Sequence, residues 1–253
     1  MKINFVGAGP GAEDLITVRG MNLIKEADVI VYAGSLVNPG LLKYAKEECE
    51  IYNSATMTLE EVMSVMIFAA KNGRAVVRLH TGDPSVYGAI REQMDILDKE
   101  GISYEVCPGV SACFGAAAAM NLEYTLPDIS QTLIITRTEG RTPVPSLEGI
   151  ANLAKHQSSM AIYLSAGMLE KLQEELLIGG YDKDTPAAIV YKATWPEEKV
   201  IRCTVDTLAK SGAENDIKNT ALILVGKVID SPNYDRSKLY SPDFTTAYRQ
   251  AKN

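Results

Sequence analysis

A chain of 253 residues with 46% hydrophobic and 23% charged residues can bury a sizeable core, as one large domain or two small ones. A formal net charge of −7 argues against a general nucleic-acid surface, because phosphate binding needs a dense basic face. No apolar stretch reaches the roughly 18 residues that span a bilayer, and MKINFVGAGPG has no signal-peptide pattern, so the expectation is a cytoplasmic protein with no membrane partner.

In chain order, INFVGAG reads as a strand, and Leu15, Val18, Met21 and Ile24 mark a helix over 14–27. A strand over 29–32, a helix over 41–46 and a short strand over 50–52 follow. Thr58-Leu59-Glu60-Glu61 supplies a capping box for a helix that runs to Lys71 and stops at Asn72-Gly73. A buried strand over 75–79 leads into Thr81-Gly82-Asp83-Pro84. The next helix extends to about Lys99 with Ile90, Met94 and Leu97 inward, before a strand over 103–106. Strands separated by helical crossovers imply a parallel sheet, with ligands expected at the strands' C-terminal ends.

After the small-residue helix over 111–120 the pattern changes. Strands are expected over 132–137, 160–164, 186–192, 199–205 and 221–229. Trp195-Pro196-Glu197-Glu198 is too short for a helical crossover, so its flanking strands should pair antiparallel and make the second sheet mixed. The domains expected are 1–120 and 121–230, with a polar tail over 231–253. That tail reads as extended or partly disordered, and its Tyr234, Leu239, Tyr240, Phe244 and Tyr248 are available to pack on a partner.

Cys49, Cys107, Cys113 and Cys203 form no C-x-x-C pair and read as core filler, and only His80 and His156 are present, so no metal site is expected. Three strand-to-helix loops carry the remaining chemistry. Gly7-Ala8-Gly9-Pro10-Gly11 either brings backbone close to a ligand or is a tight turn. Its third glycine falls one residue early for a dinucleotide fingerprint, and Pro10 lacks the N–H that would hold a pyrophosphate. Thr81-Gly82-Asp83-Pro84 is a helix-capping turn or a polar-ligand loop, and Ser111 in Pro108-Gly109-Val110-Ser111-Ala112 is a cap or a ligand contact. Their co-occurrence at one edge of one sheet favours ligand binding.

GAGPG followed by DLITVRG, then VYAGSLV, HTGDPSVYG, CPGVSA and the tail YDRSKLYSPDF together resemble the tetrapyrrole methylase family over nearly the whole chain. VYAGSLV and YDRSKLY are more similar to the branch that methylates precorrin-4 or cobalt-precorrin-4 at C11 than to the uroporphyrinogen-III methylases. The resemblance implies two α/β domains of the class III methyltransferase type, a parallel N-terminal and a mixed C-terminal sheet with the active-site cleft between, and a homodimer. It implies S-adenosylmethionine as cofactor and a tetrapyrrole, with or without cobalt, as substrate. Pro10, Thr81, Gly82, Asp83, Ser111, Ala112, Leu164, Ala193 and Ala221 would then contact the cofactor; apart from the resemblance, Leu164, Ala193 and Ala221 read as core. No catalytic residue is assigned. For the substrate carboxylates the candidates are Arg78, Arg91, Lys192 and, preferred for their place after a strand, Arg137 and Arg141. Other ring positions, diphthamide or ribosomal RNA methylation on the same fold, a non-catalytic tetrapyrrole carrier and an NAD oxidoreductase are the alternatives.

Overall fold

A computed structural model describes residues 2–34 and 36–251; Ser35 of VYAGSLV lies outside the described residues. The chain divides into two units, one of residues 1–116 with 192–198 and one of residues 117–191 with 199–253. The division thus falls at Ala116, and the turn around Trp195 groups with the first unit.

The first unit is built on five strands, β1 (Ile3–Gly7), β2 (Val29–Tyr32), β3 (Glu50–Asn53), β4 (Val76–His80) and β5 (Tyr104–Cys107), all parallel in the order β3-β2-β4-β1-β5. Burial on both faces explains the apolar runs of β1, β2 and β4, whereas the outer strands β3 and β5 are partly exposed. Ile3, Phe5, Val29 and Val31 pack on α2 (Leu59–Lys71) and α3 (Ile90–Lys99) through Met66 and Leu97. Val6, Ile30, Val77 and Leu79 pack on the other face against Ile24 of α1 (Val18–Glu26) and Leu41.

The capping box forms as expected: Glu61 N–H donates to Thr58 Oγ1 at 3.3 Å and Thr58 N–H to Glu61 Oε2 at 2.8 Å. Three helical expectations are corrected. The segment 14–27 is a 3-10 turn (Glu13–Leu15) and then α1, because Thr17 accepts from Gly20 N–H and starts a new helix. The expected helix over 41–46 is a 3-10 turn, Pro39–Tyr44. The helix after Pro84 begins only at Ile90, because Tyr87 (φ 57°) and Ala89 (φ 50°) are left-handed.

In the second unit, β6 (Leu133–Arg137), β7 (Ser159–Tyr163), β8 (Pro186–Tyr191), β9 (Lys199–Thr204) and β10 (Ala221–Val225) are ordered β6-β7-β10-β8-β9. β6 and β7 are parallel, and every other pairing is antiparallel, including β8 with β9 across the Trp195 turn. Met160, Ile162, Ile189 and Ile223 meet Leu172 and Leu176 of α5 (Leu169–Ile178) in one core. The last strand stops at Val225 rather than 229, since Gly226 (φ 144°) turns the chain into a 3-10 turn at Lys227–Asp230. Arg249 donates to the carbonyls of Leu239 (3.0 Å) and Ser241 (2.6 Å), so residues 239–249 close on one guanidinium.

Candidate functional site

α4 (Ala112–Met120) follows the third loop, and the three loops leave the adjacent strands β4, β1 and β5 at the same edge. They interlock through backbone. Gly82 N–H donates to the Gly9 carbonyl at 2.8 Å and Gly9 N–H to the Gly82 carbonyl at 3.3 Å. A Cβ on Gly7 would lie 2.6 Å from both Gly109 Cα and the Gly82 carbonyl oxygen, closer than real Cβ contacts come. Glycine is required at 7 and 109 so that the loops can touch one another.

Asp83 ties the second loop to the third: Oδ2 accepts from Gly109 N–H at 2.9 Å and Oδ1 from Ser85 N–H at 2.8 Å. Burial raises its pKa, but the hydrogen bonds from the Ser85 side chain and the Gly109 and Ser85 amides outweigh it and hold the carboxyl below its ordinary value. Gly82 (φ 58°) supplies a left-handed bend there, and the nearest atoms to a Cβ built on it, Ala112 N and Ser111 Cα, are 3.5 Å away. Pro10 packs beside Gly115, where a Cβ would lie 2.8 Å from Pro10 Cβ. Pro10, Gly82, Ser111 and Ala193 are buried, and Thr81, Asp83 and Ala112 half-buried. The structure therefore gathers Pro10, Gly82, Asp83, Ser111 and Ala112 around one edge.

Leu164 and Ala221 belong to the second unit. Ile223 pairs with Ile162, a register that two residues further sets Ala221 level with Leu164. Leu164 is 61% exposed in a left-handed conformation (φ 53°), an unusual state for a bulky apolar residue and not that of core filler.

The basic candidates scatter. Arg137 spends its guanidinium on the carbonyls of Thr142 (3.0 Å) and Pro143 (2.8 Å), so it organises the loop after β6, while Arg141 is exposed on that loop. Arg91 pairs with Asp95 along α3. Lys192 pairs with Glu197 at 3.2 Å. Arg78 is buried, donating to Gln93 Oε1 (3.2 Å) and the Val31 carbonyl (3.1 Å), and burial lowers its pKa to about 10. His80 lies 4% exposed against Phe5; burial, then the Arg78 charge, drives its pKa down to about 3, so it is neutral at physiological pH and unsuited to hold a proton there. Cys107 and Cys113 are buried and Cys49 and Cys203 half-buried; burial pushes the Cys203 thiol up to about 11. Among the described residues no three His, Cys, Asp or Glu side chains gather in a metal-binding group, and no helix is long and apolar enough to cross a membrane.

Sequence reasoning missed Trp195 and Thr194. The Trp195 indole fills the space beside Gly11, and Thr194 Oγ1 accepts from Ala12 N–H at 2.9 Å. The only available signal was a glycine whose partner lies far along the chain.

An open parallel sheet whose glycine loops meet at its carboxyl edge defines a small-molecule-binding α/β protein. A family model of tetrapyrrole (corrin/porphyrin) methylases matches residues 2–209. The cobalt-precorrin-4 C(11)-methyltransferase of Methanocaldococcus jannaschii is 54% identical over 250 residues, 99% of this chain and 96% of its own. The X-ray structure of a cobalamin biosynthetic enzyme, cobalt precorrin-4 methyltransferase, is 47% identical and aligns with a TM-score of 0.89, covering 91% of this chain and 96% of that one. The uroporphyrin-III C-methyl transferase of Thermus thermophilus, solved with S-adenosyl homocysteine, is 26% identical, with a TM-score of 0.78 and 90% and 99% covered. The chain belongs to the tetrapyrrole methylase family.

Proposed function

We propose that this protein is an S-adenosylmethionine-dependent methyltransferase that methylates cobalt-precorrin-4, or its metal-free form, at C11. The observation that carries this reading is the 54% identity over 99% of the chain with a relative of that name. The 26% identity with the uroporphyrin-III enzyme makes methylation of the earlier ring system the weaker alternative.

The interlocked loops fit the cofactor. They bring three backbones together at a sheet edge stripped of side chains at Gly7, Gly82 and Gly109, which suits the close approach of an amino-acid and nucleoside ligand. Pro10, Thr81, Gly82, Asp83, Ser111, Ala112 and Ala193 would hold it, with Leu164 and Ala221 as apolar contacts. When bound, S-adenosylmethionine supplies an electrophilic methyl group on a sulfonium. The chain's own contribution is to fix orientation and exclude water, effects that supply on the order of several kcal/mol. Asp83 keeps its carboxylate on the Gly109 and Ser85 amides and so holds the loops in shape. His80 is buried and neutral, and takes no proton near pH 7. Arg141 is the exposed cation offered to a substrate carboxylate, and Arg137 shapes its loop.

The same reading makes the protein a cytoplasmic homodimer, supported by the exposed Tyr240 (69%) and Phe244 (44%) of the tail; light scattering after size exclusion tests the dimer. For the reaction, purified protein is incubated with labelled S-adenosylmethionine and cobalt-precorrin-4, and the new methyl is located by mass spectrometry and NMR. A methyl at C11 is expected. A methyl elsewhere overturns the ring position, and no transfer with no cofactor binding overturns the activity.

A further inference from the structure

Residues 192–198 link β8 to β9 yet group with the first unit, where they grip the glycine loop. Trp195 Nε1 donates to the Pro10 carbonyl at 3.2 Å, and Ala12 N–H donates to Thr194 Oγ1 at 2.9 Å. From elsewhere in that unit, Asn38 Nδ2 donates to the Gly11 carbonyl at 2.8 Å. Three consecutive residues, Pro10, Gly11 and Ala12, are thus each fixed by a side chain from outside their loop. A Cβ on Gly11 would strike the indole Cδ1 and Nε1 and lie 2.9 Å from the Ala193 carbonyl oxygen, so the missing side chain makes room for the turn.

The turn is itself braced. Lys192 Nζ sits 5.6 Å from the indole centroid and pairs with Glu197, and Thr194 N–H donates to Glu198 Oε2 at 2.6 Å. Its backbone runs against intrinsic preference, with Lys192 at φ 45° and Thr194 at φ 69°. A β-branched residue in the left-handed region is a strained one, held only where its surroundings over-determine it, and such strain clusters at functional sites.

We propose that Thr194 and Trp195 are positioning residues that clamp the Pro10–Ala12 backbone in its cofactor-binding shape, so that cofactor affinity is set in part by the β8–β9 turn. The clamp rests on the S-adenosylmethionine reading above. Its physical effect is preorganisation: a loop already fixed loses less freedom when ligand arrives.

Trp195 is the only tryptophan in the chain, so tryptophan emission reports on the clamp alone. The full chain is titrated with S-adenosylhomocysteine by calorimetry and by fluorescence. Wild type is expected to bind with an emission change whose midpoint matches the calorimetric Kd. Thr194→Val, which keeps shape but loses the accepting oxygen, should raise Kd about tenfold. Thr194→Ser, which keeps the oxygen, should stay within about threefold of wild type, and the KM for S-adenosylmethionine should rise more than kcat falls. Trp195→Phe should weaken binding as Thr194→Val does; if it does not fold, the threonine pair decides. The clamp is overturned if Thr194→Val binds as tightly as wild type, or if Val and Ser lose affinity equally. Absence of both heat and emission change in wild type instead sinks the cofactor reading, and the clamp with it.

Discussion

The two sheets end in opposite ways at the strands that carry the proposed cofactor contacts. At the ends of β4, β1 and β5 the first unit removes side chains, through Gly7, Gly82 and Gly109, and lets three backbones touch. At the ends of β7 and β10 the second unit offers Leu164, exposed and left-handed, and Ala221, partly buried against the core. In the first edge shape and stability are the same set of contacts, whereas in the second an exposed residue such as Leu164 can be changed with little consequence for folding.

Gly109→Ala tests the first half most severely. Its Cβ would lie 2.8 Å from Gly7 Cα and against the Gly82 carbonyl, all backbone, so nothing yields cheaply. We expect a loss of about 3 kcal/mol in stability and about 100-fold in S-adenosylhomocysteine affinity, read by denaturant unfolding and calorimetry. An affinity loss with full stability would separate what the first edge is said to unite.

Asp83→Ala comes next, leaving the Gly109 and Ser85 amides without their acceptor, at a cost of about 2 kcal/mol. Folding depresses the Asp83 pKa, so as pH falls the unfolded chain takes up the proton first. The contribution is present above the ordinary carboxylate value near pH 4 and is lost as pH falls through the lower folded value. Stability of wild type and variant should converge below about pH 4.

In the second unit, Tyr181 is buried with its hydroxyl donating to the Ser158 carbonyl, and burial raises its pKa to about 12. Tyr181→Phe should cost about 1 kcal/mol at neutral pH without moving cofactor affinity. Because the folded pKa is raised, the wild-type contribution holds below the unfolded value near 10 and is lost as pH rises toward about 12; the variant should lack this alkaline limb in pH-dependent unfolding.

The smallest stability effect is expected at Leu164. Leu164→Ala should shift unfolding by no more than about 0.5 kcal/mol, since the side chain is 61% exposed, while the KM for S-adenosylmethionine rises by about fivefold. An unchanged KM would remove Leu164 from the site and end the parallel between the edges.

This contrast also explains what was legible in the sequence. The parallel first sheet, the Thr58 capping box, the mixed second sheet and the meeting of the three loops follow from signals spanning a few residues. The late start of α3 at Ile90 was not legible, because Tyr87 and Ala89 adopt left-handed backbone that their residue types disfavour. Nor was the role of Arg137, whose charge suggested a substrate carboxylate but whose donors go to the Thr142 and Pro143 carbonyls. The packing of Trp195 on Gly11 joins residues more than 180 positions apart, and no local pattern carries such a contact.

The glycine contacts have a consequence for hydrogen exchange. The Gly82 amide is bonded to the Gly9 carbonyl and the Gly109 amide to Asp83, so neither is released by fraying of one loop. Both open only when neighbouring loops part, which makes them members of the same cooperative unit as β1 and β4. Loop amides ordinarily exchange early; here Gly82 and Gly109 should retain their protons as long as the central strands do.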